Sequence, residues 1–225
     1  MPRATLDRQL HQIQDEVLTL GSMVEQALVK SVDALKRRDV TAAQQVIRGD
    51  QAVNEKRYAI ENGIIAVVAT QQPMAHDLRF LAAVLEVIIE LERIGDYAKG
   101  IARVCQRLEG VEIPIPSRDF ERMAEITVSM LHRSLSAFVK EDASLAHRIP
   151  DEDEQVDALY NSVYHGLITS MIQHPEWIDH SNLLLWVAHN LERAADRVTN
   201  ICERTVFIAT GELLEMDLDD YEETE

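Results

Sequence analysis

The string Leu91-Glu92-Arg93-Ile94-Gly95-Asp96 returns 100 residues later as Leu191-Glu192-Arg193-Ala194-Ala195-Asp196. No other feature constrains the fold as strongly, because a chain that repeats itself once is expected to build one unit twice. The correspondence runs through the whole repeat. At an offset of 103, Ser31, Ala34, Asp39, Ala43, Asp50 and Val53 match Ser134, Ala137, Asp142, Ala146, Asp153 and Val156. Pro73 and Asp77 match Pro175 and Asp179 at an offset of 102, and Leu91, Glu92, Arg93, Asp96 and Ile101 match their partners at 100. Small deletions in connecting turns would produce such a drift.

Apolar residues recur at threes and fours along nearly the whole chain, the period of an amphipathic helix. Leu10, Ile13, Val17, Leu20, Val24, Leu28 and Leu35 predict a first helix over 6–38. Asp39 or Thr41 caps a second, which carries Val46, Val53, Ile60, Ile64 and Val67 to about residue 70. Pro73 ends it, since the residue before a proline disfavours helix. A third helix spans 74–108, with a first apolar stripe of Leu78, Leu81, Leu85, Ile88 and Ile89. Beyond residue 90 the stripe turns to Leu91, Ile94, Ala98, Ile101 and Cys105. Three more helices follow over 118–140, 143–173 (with a kink at Pro150) and 180–209. The linker 110–117, with Pro114 and Pro116, divides the chain. The expectation is all-α: two tandem antiparallel three-helix bundles over 1–112 and 113–210, with an acidic, disordered tail at 211–225.

Composition narrows the function. With 39 Asp and Glu against 22 Lys and Arg, the formal net charge is −17. Nucleic-acid binding, which relies on neutralising phosphates with cations, is not expected. Cys105 and Cys202 form no CxxC and read as buried reduced thiols, as in a cytoplasmic protein. Residues 1–12 contain no apolar segment of signal-peptide type, and no apolar run is long enough to span a bilayer.

The chemistry lies in paired carboxylates. Glu92 and Asp96 stand four residues apart, on one helix face, in line with the first apolar stripe. Glu192 and Asp196 repeat them. Asp153 and Asp157 form a second such pair on the preceding helix, where the first half has Asp50 and Asn54. Antiparallel neighbours would bring these pairs level. Converging carboxylates repel one another and call for a cation or a proton. All-oxygen ligands suit Mg, Ca, Mn or ferric iron better than structural zinc. His189 reads either as an added nitrogen ligand or as an ordinary hydrogen-bonded histidine. Arg93 and Arg193 offer the alternative of ion pairs without metal. Gly95 reads as room for a close neighbour or as incidental. No basic cluster stands out, so direct phosphate sensing is not expected unless a metal supplies the charge. None of the eight histidines follows a glutamate by three residues, the mark of a di-iron bundle. No phosphate loop, zinc set or activated nucleophile is present. A metal-binding protein or helical metalloenzyme remains the alternative reading.

The motifs Gln72-Pro73-Met74-Ala75-His76-Asp77-Leu78-Arg79 and Leu91 to Asp96, with the echo at 191–196, resemble the PhoU family. The resemblance spans 6–209. It implies two three-helix bundles, each with an E/DxxxD motif that in some members holds iron or zinc. Carried over by position, the metal residues are Asp50, Glu92, Asp96, Asp153, Asp157, Glu192 and Asp196, with Asn54 departing from the acidic pattern. It further implies a non-enzymatic negative regulator of phosphate uptake and of the phosphate-starvation regulon. The implied partners are the ATPase of the phosphate ABC transporter, a membrane-bound sensor histidine kinase, and a second copy of the chain.

Overall fold

A computed structural model describes residues 2–216. Seven α-helices run in order: α1 Pro2–Arg37, α2 Val40–Gln71, α3 His76–Arg107, α4 Ser117–Lys140, α5 Ala143–Ala146, α6 Asp153–Gln173 and α7 Ile178–Thr210. Single turns of 3₁₀ helix, Pro150–Glu152 and Pro175–Trp177, precede α6 and α7. There is no strand among the described residues, and no helix there is long and apolar enough to cross a membrane.

The repeat is visible in hydrogen bonds. α1 ends on Arg38 and α4 on Glu141, both left-handed with φ of 53° and 52°. The next amide bonds back in each case, Asp39 to the Ala34 carbonyl at 2.8 Å and Asp142 to the Ala137 carbonyl at 2.9 Å. Asp39 then caps α2 by accepting from the Ala42 amide, and Asp142 caps α5 by accepting from the Leu145 amide, both at 2.9 Å. Ser31 and Ser134, both buried, donate to the carbonyls of Leu28 and Leu131. The halves differ where Pro150 stands: α2 is continuous, but its counterpart is broken into α5, a 3₁₀ turn and α6.

Within the first half α1, α2 and α3 pack on one another, and within the second α4, α6 and α7 do so. The halves join where α1 lies on α4 and α3 on α7. The core includes Leu20, Leu28, Ile60, Leu91, Ile94, Ile101, Phe120 and Phe138. α3 is central and is covered by α1, α2 and α7. Its buried set therefore differs from the predicted first stripe. Phe80, Ala83, Val84 and Val87 are buried beside Leu81 and Ile88, whereas Leu78 is 46% exposed and Leu85 and Ile89 are half-buried. Glu92 and Asp96 accordingly lie on the rim of the core, in line with those half-buried residues, with Glu92 half-buried and Asp96 exposed.

The seam between α3 and α7 carries the approximate two-fold relation. Asn200 donates to Glu90 at 3.2 Å. The residues at the corresponding places, Gly100 and Asn190, also meet: a Cβ on Gly100 would lie 2.9 Å from Asn190 Nδ2. Arg197 adds an ion pair to Glu90 at 3.4 Å.

The motif at 72–79 is the α2–α3 turn. Gln72 and Ala75 both have φ of 49° around Pro73. Asp77, buried in the first turn of α3, pairs with Arg3 of α1, and His76 meets Glu141 at 2.8 Å. The motif thus ties the start of α3 to α1 and to the end of α4. Arg38 donates to the carbonyls of Val111 and Ile113, pinning the interrepeat linker. Cys105 and Cys202 are buried free thiols, and burial pushes the Cys202 thiol up to about 12. Gly211 ends α7 in the left-handed region at φ 83°. Of the expected disordered tail, residues up to Met216 are placed, and the Met216 amide donates to Glu203 at 2.9 Å. The remaining tail, 217–225, lies outside the described residues.

Candidate functional site

In the first half, α2 reaches α3 closely because of Gly95. A Cβ there would lie 3.3 Å from Val53 of α2 and 3.8 Å from Val24 of α1. One turn before Val53, Asp50 is buried against α3. Its Oδ2 accepts from Lys99 Nζ at 2.6 Å and from Asn54 Nδ2 at 3.2 Å. Lys99 also donates to Asp96 at 3.3 Å. Asp50 and Asp96 therefore share the Lys99 ammonium group, and Glu92 lies within electrostatic reach of both. Burial raises the Glu92 pKa, with Asp96 and then Asp50 adding to it, while Arg57 and Lys99 oppose the rise.

In the second half, Glu192 is half-buried. Burial raises its pKa, Asp157 adds to the shift, and Arg193 and Arg197 oppose it. Its Oε2 is buried without a hydrogen-bond donor among the described residues. His189 Nδ1 lies 3.1 Å from that oxygen, an ion-pair distance only when the ring is protonated. Burial lowers the His189 pKa, as does Arg193, against Asp196. The ring sits between Tyr160 and Trp186. Asp153 opens α6, and Asp157 lies one turn on, exposed. Asp196 follows Glu192 by one turn on α7.

The arginines go elsewhere. Arg93 pairs with Glu90 at 3.1 Å, and Arg193 stacks on the Tyr97 ring with its guanidinium carbon 5.1 Å from the centroid. Sequence reasoning missed Lys99 and Arg57, the two cations of the first half. At their places, by the offsets of 100 and 103, the second half has Thr199 and Tyr160. Asn54 likewise stands where the second half has Asp157. Each difference makes the first half less anionic. The departure at Asn54 was legible, but the pairing of Lys99 with a carboxylate 49 residues away was not.

Do these side chains suit a metal? In the first half Lys99 already sits between Asp50 and Asp96, where a bound cation would compete with it. Each half nevertheless has a buried carboxylate oxygen without a donor among the described residues, Asp50 Oδ1 and Glu192 Oε2, the kind of atom a cation satisfies. Among the described residues, no three His, Cys, Asp or Glu side chains converge closely enough to hold an ion as they are placed. The donor chemistry thus suits a cation in either half, with Lys99 as a competitor in the first, and a full ligand set requires side-chain rotation or water.

Known proteins share this architecture. The PhoU domain profile matches residues 17–105 and 120–205, once per repeat. A Clostridium acetobutylicum relative, "Phosphate-specific transport system accessory protein PhoU homolog", is 32% identical over 221 residues, covering 98% of this chain and all of that one. The Escherichia coli protein, "Phosphate-specific transport system accessory protein PhoU", is 35% identical over 204 residues, covering 91% of this chain and 85% of its own. Among solved structures, the PhoU regulatory protein of Streptococcus pneumoniae superposes with a TM-score of 0.86 at 33% identity, over 93% of this chain and 99% of that one. PhoU of Pseudomonas aeruginosa also gives 0.86, at 30% identity over 92% and 99%. With both repeats matched and the fold shared nearly end to end, the chain belongs to the PhoU family.

Proposed function

We propose that this protein is a non-enzymatic adaptor that restrains phosphate uptake and keeps phosphate-starvation genes silent when phosphate is plentiful. It would act between the ATPase of a phosphate ABC transporter and a sensor histidine kinase. In this reading it works in the cytoplasm as a homodimer and reaches the membrane only through those partners. The observation that carries it is the match of both repeats to PhoU, in relatives named for an accessory role in phosphate-specific transport. The test is alkaline phosphatase activity in a deletion strain grown with ample phosphate, complemented by the wild type or by a variant with Asp153, Asp157, Glu192 and Asp196 changed to Ala. High activity on deletion, lowered again by the wild type, is the expected result. Low activity in the deletion strain would refute the regulatory reading. The quadruple variant, once shown to fold, reports whether the acidic face of the second half takes part in repression.

A second element of the reading concerns cations. The second half would hold a divalent or trivalent ion through Glu192 and Asp157, with Asp153 and Asp196 one turn away on the same helices. Thr199 at the place of Lys99 favours this half, because no lysine there competes with a cation for the carboxylates. The first half, supplied with Lys99, would hold none. Equilibrium dialysis against Mn²⁺ should give uptake by the wild type that Glu192→Gln abolishes and Glu92→Gln leaves unchanged.

A further inference from the structure

Expectation from composition is reversed at one place on the surface. Where the C-terminal half of α3 meets the early part of α7 there is an opening of roughly 520 Å³. Four cations line it, Lys99, Arg103, Arg107 and Arg193, on a chain whose net charge is −17. We propose that this opening is an oxyanion site that takes a phosphate group, as free inorganic phosphate or as the phosphates of a nucleotide.

Its construction supports the assignment. Lys99, Arg103 and Arg107 are spaced by four and so share one face of α3. Arg193 comes from α7 and is stacked on Tyr97. Lys99 is already shared between Asp50 at 2.6 Å and Asp96, the single carboxylate of the lining, at 3.3 Å, so the charge offered to an anion comes from Arg103, Arg107 and Arg193. Arg103 and Arg107 are exposed, and guanidinium groups suit the multiple acceptor oxygens of a phosphate.

A second observation points the same way. Asn190 also lines the opening and is only 3% exposed, yet its Nδ2 has no hydrogen-bond acceptor among the described residues. A buried donor without an acceptor is the group an oxyanion would satisfy. Gly100 makes room for it: a Cβ there would lie 2.9 Å from Asn190 Nδ2 and 3.9 Å from Trp186 Nε1, a further donor of the lining. Nor is the site a by-product of duplication. The places equivalent to Lys99, Arg103 and Arg107 hold Thr199, Glu203 and Phe207.

This inference is independent of the regulatory reading, because the opening would take an oxyanion whatever partners the protein serves. The full-length protein would be titrated with inorganic phosphate and, separately, with ADP. Both titrations use fixed low ionic strength with EDTA present, so that no bound metal can mediate the contact. Calorimetry gives the affinity. Trp186 emission gives a signal local to the site, and Trp186→Phe separates it from Trp177. Saturable binding of at least one probe is expected, weakened at least ~10-fold by Arg103→Ala/Arg107→Ala, a surface variant that should keep its fold by circular dichroism. Equal affinity for the two probes assigns the free anion, and tighter binding of ADP with a Trp186 response assigns a nucleotide. No saturable binding of either probe in the millimolar range overturns the proposal, as does binding that the double variant leaves unchanged. A deletion strain with low alkaline phosphatase would refute the regulatory reading and leave this titration untouched.

Discussion

Lys99 and Glu192 show how similar positions acquire different electrostatics. Lys99 closes the charge of a buried carboxylate, so Lys99→Met should destabilise the fold by about 1–3 kcal/mol by leaving Asp50 with the Asn54 amide but without its cation. Adding Asp50→Asn should recover most of that loss, and urea unfolding of the two singles and the double provides the check. Glu192 presents the opposite problem, a carboxylate that burial holds above its ordinary 4.5. A carboxyl group whose folded pKa is raised adds stability below the ordinary value and loses it as pH rises through the folded value. Glu192→Gln should therefore melt higher than the wild type at neutral pH in metal-free buffer. Its advantage should disappear as pH falls toward 4.5. A melting-temperature gap that widens on acidification would contradict this account. The two carboxylate pairs were legible in the sequence because their spacing places them on one helix face. Lys99 was not, because a lysine three residues after Asp96 reads as an ordinary surface ion pair until α2 brings Asp50 to it.

Helix contacts depend on a few small residues and caps. Gly95 allows α2 to lie against α3, and Gly95→Leu should cost about 1–3 kcal/mol through overpacking against Val53 and Val24. The same change should loosen the Asp50–Lys99 contact. Far from it, Asp39→Ala and Asp142→Ala should each cost about 1 kcal/mol, since each removes the acceptor at a helix start. Thermal melts of the three variants test these magnitudes. The six long helices and most of their approximate ends were legible from apolar periodicity, from Asp39, and from the prolines at 73, 114, 116 and 175. The face of α3 was misread because a stripe analysis assumes one apolar side, whereas α3 is covered by α1, α2 and α7. Pro150 was expected to bend one helix and instead opens a 3₁₀ turn between the four-residue α5 and α6. The basic face at Lys99, Arg103 and Arg107 was present in the sequence as a run of fours, masked by the overall acidity of the chain.

Taken whole, the molecule is two copies of one design joined through α3 and α7. Glu90 fastens that seam by accepting from Asn200 and Arg197, so Glu90→Ala should cost about 1–3 kcal/mol. Because the halves share buried faces across α1–α4 and α3–α7, calorimetry should show a single transition in both the wild type and this variant. The repeat made the architecture legible as a whole. The difference between its halves was only partly legible, since it depends on which residues of different helices meet. That difference has an electrical consequence. The ammonium of Lys99 is part of the chain and cannot dissociate, so the carboxylates Asp50 and Asp96 keep their countercharge whatever cations the medium holds. If only the carboxylates of the second half exchange a cation with solution, each arrival or departure changes charge at one end of the body. A nearly symmetric molecule would then become a variable dipole, whose torque in the field of a charged surface follows the ion's concentration.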